Sequence, residues 1–244
     1  MRIVFVHGWG MNSAVWEPLL EHLPPHVESV CIDLPGHGQS IGRRLGSAEE
    51  VAALLLDCVP GQVFWVGWSM GALPLLYIAR HHPDRVAGLV LTASTPCFVV
   101  RDGWRCAIGH NALEEFAEDL SRDYATTLKR FLALQVRGSA EGLGVLRSLR
   151  RSVLAKGAPD TDALNVGLEW LKETDLRAEL TDLQCRNLWV LGDNDILVPA
   201  AVAEYLRQVV PGAQVDVFSG AGHAPFLSHG RRFASRLLEF LHDE

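Results

Sequence analysis

Three short stretches carry residue types suited to nucleophilic chemistry. Gly67-Trp68-Ser69-Met70-Gly71 holds one hydroxyl between two glycines, with an apolar run before it and a helix-like segment after it. That context predicts a strand-to-helix turn so tight that side chains two residues either side of Ser69 would collide with neighbouring chain. A hydroxyl at its ordinary pKa is a poor nucleophile and needs a base. Of ten histidines, His223 in SGAGHAPF follows the last predicted strand and precedes the final helix, the place from which a base can reach the turn. His7, His37, His81, His82 and His110 fall in other elements, and His229 comes late enough to start the last helix. The orienting acid is expected after a strand at residues 187–191, where LGDNDILVP offers two carboxylates. Asp195 is preferred, in D-x-x-V-P with Val198-Pro199 opening the next helix; Asp193 remains the competitor, with a turn or capping role as its other reading. The acid would fix the imidazole tautomer and stabilise the imidazolium.

An oxyanion needs preorganised donors. The N–H of Met70 follows the nucleophile at a helix N-terminus, and the loop His7-Gly8-Trp9-Gly10 supplies a second, Trp9 N–H, with the Trp9 indole expected to line the pocket. Each piece has a blander reading: the pentapeptide could be a turn with an N-capping serine, and HGWG a plain turn. Their coincidence in one chain favours chemistry.

The elements that must position these residues alternate. Strands are predicted at residues 3–6, 27–32, 63–67, 86–92, 187–191 and 215–218, and helices at 14–22, 47–58, 71–81, 200–209 and 231–242. Asn12 or Ser13 is available to cap the first helix, and Ser47 with Glu50 has capping-box spacing for the second. Strand–helix alternation implies an α/β fold with a mostly parallel central sheet covered on both faces. Residues 97–180 lose strand character and read as helices, as in LEEFAEDLSRDYATTLKRFLALQ. The expected organisation is a core of residues 1–96 and 181–244 with a helical lid, 97–180, inserted between two strands.

Composition narrows the class. Hydrophobic content of 48% with 21% charged residues is that of a globular domain. No apolar stretch reaches the roughly 20 residues of a membrane span, and MRIVFVHGWG lacks a signal peptide's apolar region, so the cytoplasm is expected and a membrane is not. Cys31, Cys58, Cys97, Cys106 and Cys185 are odd in number and never spaced C-x-x-C, which argues against disulfides and a metal site and for mostly buried thiols. A net charge of −7 disfavours nucleic acid. Its distribution is uneven: residues 122–156 hold eight basic residues against two acids, a local +6 that leaves −13 elsewhere. Arg147, Arg150 and Arg151 share a helical face and, with Arg130, could dock an acidic partner; a solvated helix face is the alternative.

With these pieces placed, VHGWGMN, DLPGHGQS, VGWSMGAL, TASTPCF, RFLALQ, LNVGLEWLKETDLR and AGHAPFLSH together resemble the α/β-hydrolases over essentially the full length, and within them the pimeloyl-[acyl-carrier protein] methyl ester esterases. The resemblance implies a serine esterase that needs no metal or cofactor, acting on an ester borne by an acyl carrier protein, with small-molecule esters as further substrates. It also implies substrate contacts at Trp9, Ser69, Met70, Phe131, Leu132, Ala133, Leu134, Gln135 and His223. A general short-chain carboxylesterase, a carbon–carbon bond hydrolase and a non-catalytic ligand-binding member of the fold are the alternatives. Two departures stand out: the antiparallel strands that usually open this fold are expected to be missing, leaving a bare sheet edge, and block positions that are basic in relatives are Thr126 and Leu143 here.

Overall fold

A computed structural model of the chain describes residues 1–137, 139 and 141–243; of residues 110, 121, 124, 125 and 154 it describes the backbone alone. The elements run β1 (Arg2–Val6), α1 (Glu17–Leu20), β2 (Glu28–Ile32), α2 (Ala48–Cys58), β3 (Val63–Trp68), α3 (Ala72–His81) and β4 (Val86–Thr92), then α4 (His110–Arg122), α5 (Tyr124–Gln135), α6 (Gly142–Ala155) and α7 (Thr161–Glu173), and finally β5 (Asn187–Gly192), α8 (Val202–Val209), β6 (Gln214–Phe218), α9 (Pro225–Ser228) and α10 (Gly230–His242).

Apolar and β-branched runs such as VFWVGW and NLWVLG bury both strand faces, and parallel pairing then demands the helical crossovers that the chain supplies. The six strands form one sheet in the order β2-β1-β3-β4-β5-β6, parallel throughout. Register aligns Val6 with Gly67, Trp68 with Thr92 and Gly192 with Phe218, so the loops that leave the carboxyl ends of β1, β3, β5 and β6 open on one rim. Helix α2 packs on α3, and α1 on α9 and α10. Ser47 and Glu50 close the predicted capping box. No helix among the described residues is long and apolar enough to cross a membrane.

The structure shifts several expectations. The helix predicted at 14–22 starts as a 3-10 turn, Ser13–Trp16, capped by Asn12, and is α-helical only from Glu17. Pro18 explains the change: inside an α-helix its ring would strike the carbonyl of Ala14, so it is tolerated only in the first turn. Val198-Pro199 does not open a helix; α8 begins at Val202, because the Asp195 carboxylate takes the N–H groups of Leu197 and Val198 and holds them in a turn. Of the five thiols Cys97 is buried and Cys58 exposed, the rest half-buried, and all are free. Between β4 and β5 the chain makes helices α4 to α7 and, among the described residues, only isolated bridges, such as Cys97 to Asp175. Among the described residues no strand pairs with the outer edge of β2.

Candidate active site

Ser69 sits where β3 ends, at φ 53°, and only Ala93 (φ 46°) shares a positive φ among the described non-glycine residues. Such a left-handed backbone costs roughly 1–2 kcal/mol for an L-residue, so surrounding structure must impose it. The two flanking glycines show how. A Cβ on Gly67 would lie 2.8 Å from Ala72 Cα, and one on Gly71 would lie 2.3 Å from the His7 carbonyl oxygen. Strand and helix therefore meet at backbone contact, and the chain reverses through Ser69. The Ser94 hydroxyl donates to the Ser69 carbonyl at 3.0 Å and holds the strained peptide. Neither the 3-10 turn Ser69–Gly71 nor α3 has a side-chain cap, so the hydroxyl of Ser69 is not a capping group.

That hydroxyl lies 2.9 Å from His223 Nε2, and His223 Nδ1 lies 2.8 Å from Asp195 Oδ2. A carboxylate only accepts, so Nδ1 carries the proton and Nε2 is left to accept from Ser69. Oδ1 of Asp195 accepts from Leu197 N–H (2.8 Å) and Val198 N–H (3.0 Å), which fixes the carboxylate plane. Serine, histidine and acid are all buried. Asp193 is elsewhere: its Oδ1 accepts from Gly220 N–H at 2.7 Å, the turn role that was its other reading. The geometry permits proton transfer from hydroxyl to imidazole with the resulting imidazolium held by a fixed anion.

The loop after β1 reaches this point. A Cβ on Gly8 would lie 3.3 Å from Ser69 Cβ, so the backbone just before Trp9 runs beside Ser69. The Trp9 indole does not line the cavity as expected. Its N–H donates to the Leu164 carbonyl at 2.8 Å, and its ring backs Phe116 and Phe131 edge-on. The Met70 side chain, expected to touch substrate, lies with Trp9 beneath α7, where a Cβ on Gly167 would come within 2.9 Å of Met70 Sδ. A buried indole N–H needs an acceptor, and this one finds it on α7.

Ser69 and His223 open into a cavity of about 100 Å³ walled by Phe98, Ile108, Ala112, Leu113, Phe116, Phe131, Leu134, Leu168, Leu171 and Leu197. Of the segment predicted to contact substrate, Phe131 and Leu134 reach this wall, three residues apart on one helical face. Leu132 faces the core, Ala133 faces solvent, and Gln135 is buried, its carbonyl accepting from His223 N–H at 3.0 Å. Helical geometry cannot bring five consecutive residues to one surface. Sequence reading missed Ala112, Leu113, Phe116, Leu168 and Leu171, although the spacing of the apolar residues in α4 and α7 was available as a signal.

Behind the loop that follows β1 lies a polar cluster that the motifs did not announce. The Asp33 carboxylate, nearly inaccessible, pairs with Lys156 Nζ at 3.0 Å and accepts from Ser13 N–H (2.6 Å) and Gln39 N–H (3.0 Å). Burial alone would raise its pKa, but these donors outweigh burial and hold it below the usual carboxylate range. Beside it, burial and the neighbouring His37 push His7 down to about 3, so His7 is neutral, its Nε2 accepting from Leu34 N–H at 3.0 Å. Asn12 Nδ2 donates to the Ser152 carbonyl at 2.8 Å. Lys156, one of the eight basic residues of the 122–156 block, is thus paired inside the fold. Arg130 is paired with Asp119 at 3.2 Å, whereas Arg147, Arg150 and Arg151 are exposed on α6 with no ion pair among the described residues.

The profile of the alpha/beta hydrolase fold matches residues 2–230. A pimeloyl-[acyl-carrier protein] methyl ester esterase of Vibrio vulnificus (strain YJ016) is 40% identical over 238 residues, covering 98% of this chain and 93% of the relative. The protein of the same name from Nitrosomonas europaea is 42% identical over 234 residues, covering 96% and 92%. Among solved structures, an esterase from Exiguobacterium antarcticum superposes with a TM-score of 0.86 at 22% identity, covering 100% of this chain and 92% of that one. A bromoperoxidase from Bacillus anthracis gives 0.89 at 22%, covering 99% and 92%. An esterase and a bromoperoxidase on one scaffold show that these structural likenesses speak to fold alone.

Proposed function

This chain belongs to the α/β-hydrolase fold family, and from that premise we propose that it is a serine esterase that hydrolyses the methyl ester of pimeloyl-[acyl-carrier protein], releasing methanol and a free ω-carboxylate for biotin synthesis. The observation that carries the reading is the relay from Asp195 Oδ2 through His223 to Ser69 Oγ, with bonds of 2.8 and 2.9 Å, at the floor of an apolar cavity. The relatives at about 40% identity that bear this activity in their names supply the substrate.

In the proposed reaction Ser69 gives its proton to His223 and attacks the ester carbonyl. The N–H groups of Trp9 and Met70 hold the oxyanion, and methoxide leaves as methanol with the proton from His223. Water, deprotonated by the same imidazole, then cleaves the acyl-enzyme; no metal or organic cofactor takes part. Leu134 and the aromatic wall of Phe116 and Phe131 suit a methylene chain with a neutral ester at its tip. Residues 97–180 serve as a lid, with Arg147, Arg150 and Arg151 as the face that meets the acidic carrier. Five unpaired thiols favour the cytoplasm as its compartment.

The test is to offer methyl pimeloyl-carrier and free methyl esters side by side to the wild type and to Ser69→Ala. Hydrolysis of both by the wild type, faster on the carrier, with none by the variant is the expected result. Equal rates on the two substrates would reduce the assignment to a general carboxylesterase, and turnover by Ser69→Ala would overturn the mechanism.

A further inference from the structure

The residue in front of the nucleophile is hydrogen-bonded to the residue that carries the base. Trp68 is buried at the end of β3, and its indole N–H donates to the backbone carbonyl of His223 at 2.7 Å. Its ring centroid lies 5.9 Å from that of His223 and packs edge-on against Phe226, three residues further along. On the other side of the same residue, the His223 N–H donates to the Gln135 carbonyl at 3.0 Å. Both peptide groups flanking the imidazole are therefore held, one by the nucleophile turn and one by the end of α5. The side-chain bond to Asp195 fixes which way the ring faces. It does not fix how far the ring stands from Ser69, since Asp195 rides on a different loop. Trp68 and Ser69 are neighbours in the chain, so an indole anchored on His223 ties base to nucleophile through a single rigid residue.

We propose that Trp68 is a positioning residue for the reaction, setting the separation of His223 Nε2 from Ser69 Oγ through its hydrogen bond to the His223 carbonyl. The inference rests on the serine-esterase reading above. Displacement of a catalytic group by about 1 Å can cost on the order of a hundredfold in rate, while substrate binding in a cavity that Trp68 does not line is left alone.

A matched control lies three residues earlier on the same strand. Trp65 is equally buried, and its indole N–H also donates to a backbone carbonyl, that of Arg85, at 3.2 Å, away from the site. Trp68→Phe removes a buried hydrogen bond and Trp65→Phe a part-buried one, each with part of one ring. Thermal unfolding, kcat and KM for a methyl ester, and the rate of inactivation by a small fluorophosphonate are measured for both and for the wild type. The expected result is a similar loss of thermal stability in the two variants. For Trp68→Phe alone, kcat and the inactivation rate fall tenfold or more with KM within twofold; Trp65→Phe stays within twofold of wild type in all three. If Trp68→Phe does not fold, benzothienylalanine at position 68 keeps the ring shape, removes the N–H and makes the same comparison. Equal rate losses in the two variants, or a rise in KM in place of a fall in kcat, would overturn the proposal. A wild-type protein that resists the fluorophosphonate would instead remove the esterase reading, and this inference with it.

Discussion

The strand ends and the helical block wall the same cavity but are fixed by different means. At the strand ends single atoms decide: the His7 carbonyl against Gly71, the Asp195 carboxylate on His223, the Ser94 hydroxyl on Ser69. In the block, side chains of α4, α5 and α7 share a volume, and Phe116 and Phe131 lean on Trp9 at centroid distances of 5.2 and 4.9 Å. Volume can be refilled by another apolar residue; a bond direction cannot. The contrast teaches that chemistry and selectivity are encoded at different resolutions in one chain.

The sharpest way to break that contrast is to compare Asp195→Asn with Phe131→Leu. The first should lower kcat about 10⁴-fold by disrupting the tautomer and charge that His223 requires, and the second less than roughly tenfold because it only reshapes a wall. Comparable losses, read as kcat on a p-nitrophenyl ester, would erase the distinction. Glycines give a stability version of the same comparison. Gly71→Ala drives a methyl into the His7 carbonyl and should cost about 3 kcal/mol or more, whereas Gly144→Ala, in open space on α6, should gain about 0.5–1 kcal/mol from helix propensity. Urea midpoints measure both.

The tie between the two regions is next in size. Lys156→Met leaves the Asp33 carboxylate without its cation and should cost about 2 kcal/mol, below the usual figure for a fully buried pair because the ammonium is about a quarter exposed. The same cluster predicts acid sensitivity. Asp33 in the fold titrates below its ordinary range, and His7 at about 3 lies below its unfolded value of 6.5. In both cases the unfolded chain binds protons more readily, so the stability these groups contribute is complete at neutral pH. His7's share is lost as pH falls from 6.5 toward 3, and Asp33's as pH falls through the carboxylate range. Thermal midpoints should drop between pH 7 and pH 4, and a flat profile would contradict this. The smallest effect belongs to the surface. Replacing Arg147, Arg150 and Arg151 by Glu should raise KM for a carrier-linked ester roughly tenfold, leave free-ester turnover within about twofold, and remove much of its salt dependence.

Legibility in the sequence follows the same divide. The nucleophile turn could be read because glycine, unlike any other residue, tolerates the contacts found at 67 and 71, and the strands because their apolar runs admit few alternatives. Choosing between Asp193 and Asp195 by the residues that follow picked the carboxylate that bonds His223, though the reason those residues mattered is the turn that Asp195 itself holds. The block was readable as helices and no further. Which of Phe131 to Gln135 touches the cavity depends on the roll of α5 about its axis, and the diversion of the Trp9 indole depends on a carbonyl 155 residues away. The Asp33–Lys156 pair, 123 residues apart, was counted as two unrelated charges.

Those separations have an experimental consequence. Ser69 and His223 stand 154 residues apart in the chain, and the loop bearing His223 follows the outermost strand, β6. Contacts of such long range close slowly, after local helices have formed. In a refolding time course the return of turnover should therefore lag behind recovery of helical circular dichroism, which makes esterase activity a clock for the docking of the chain's last third.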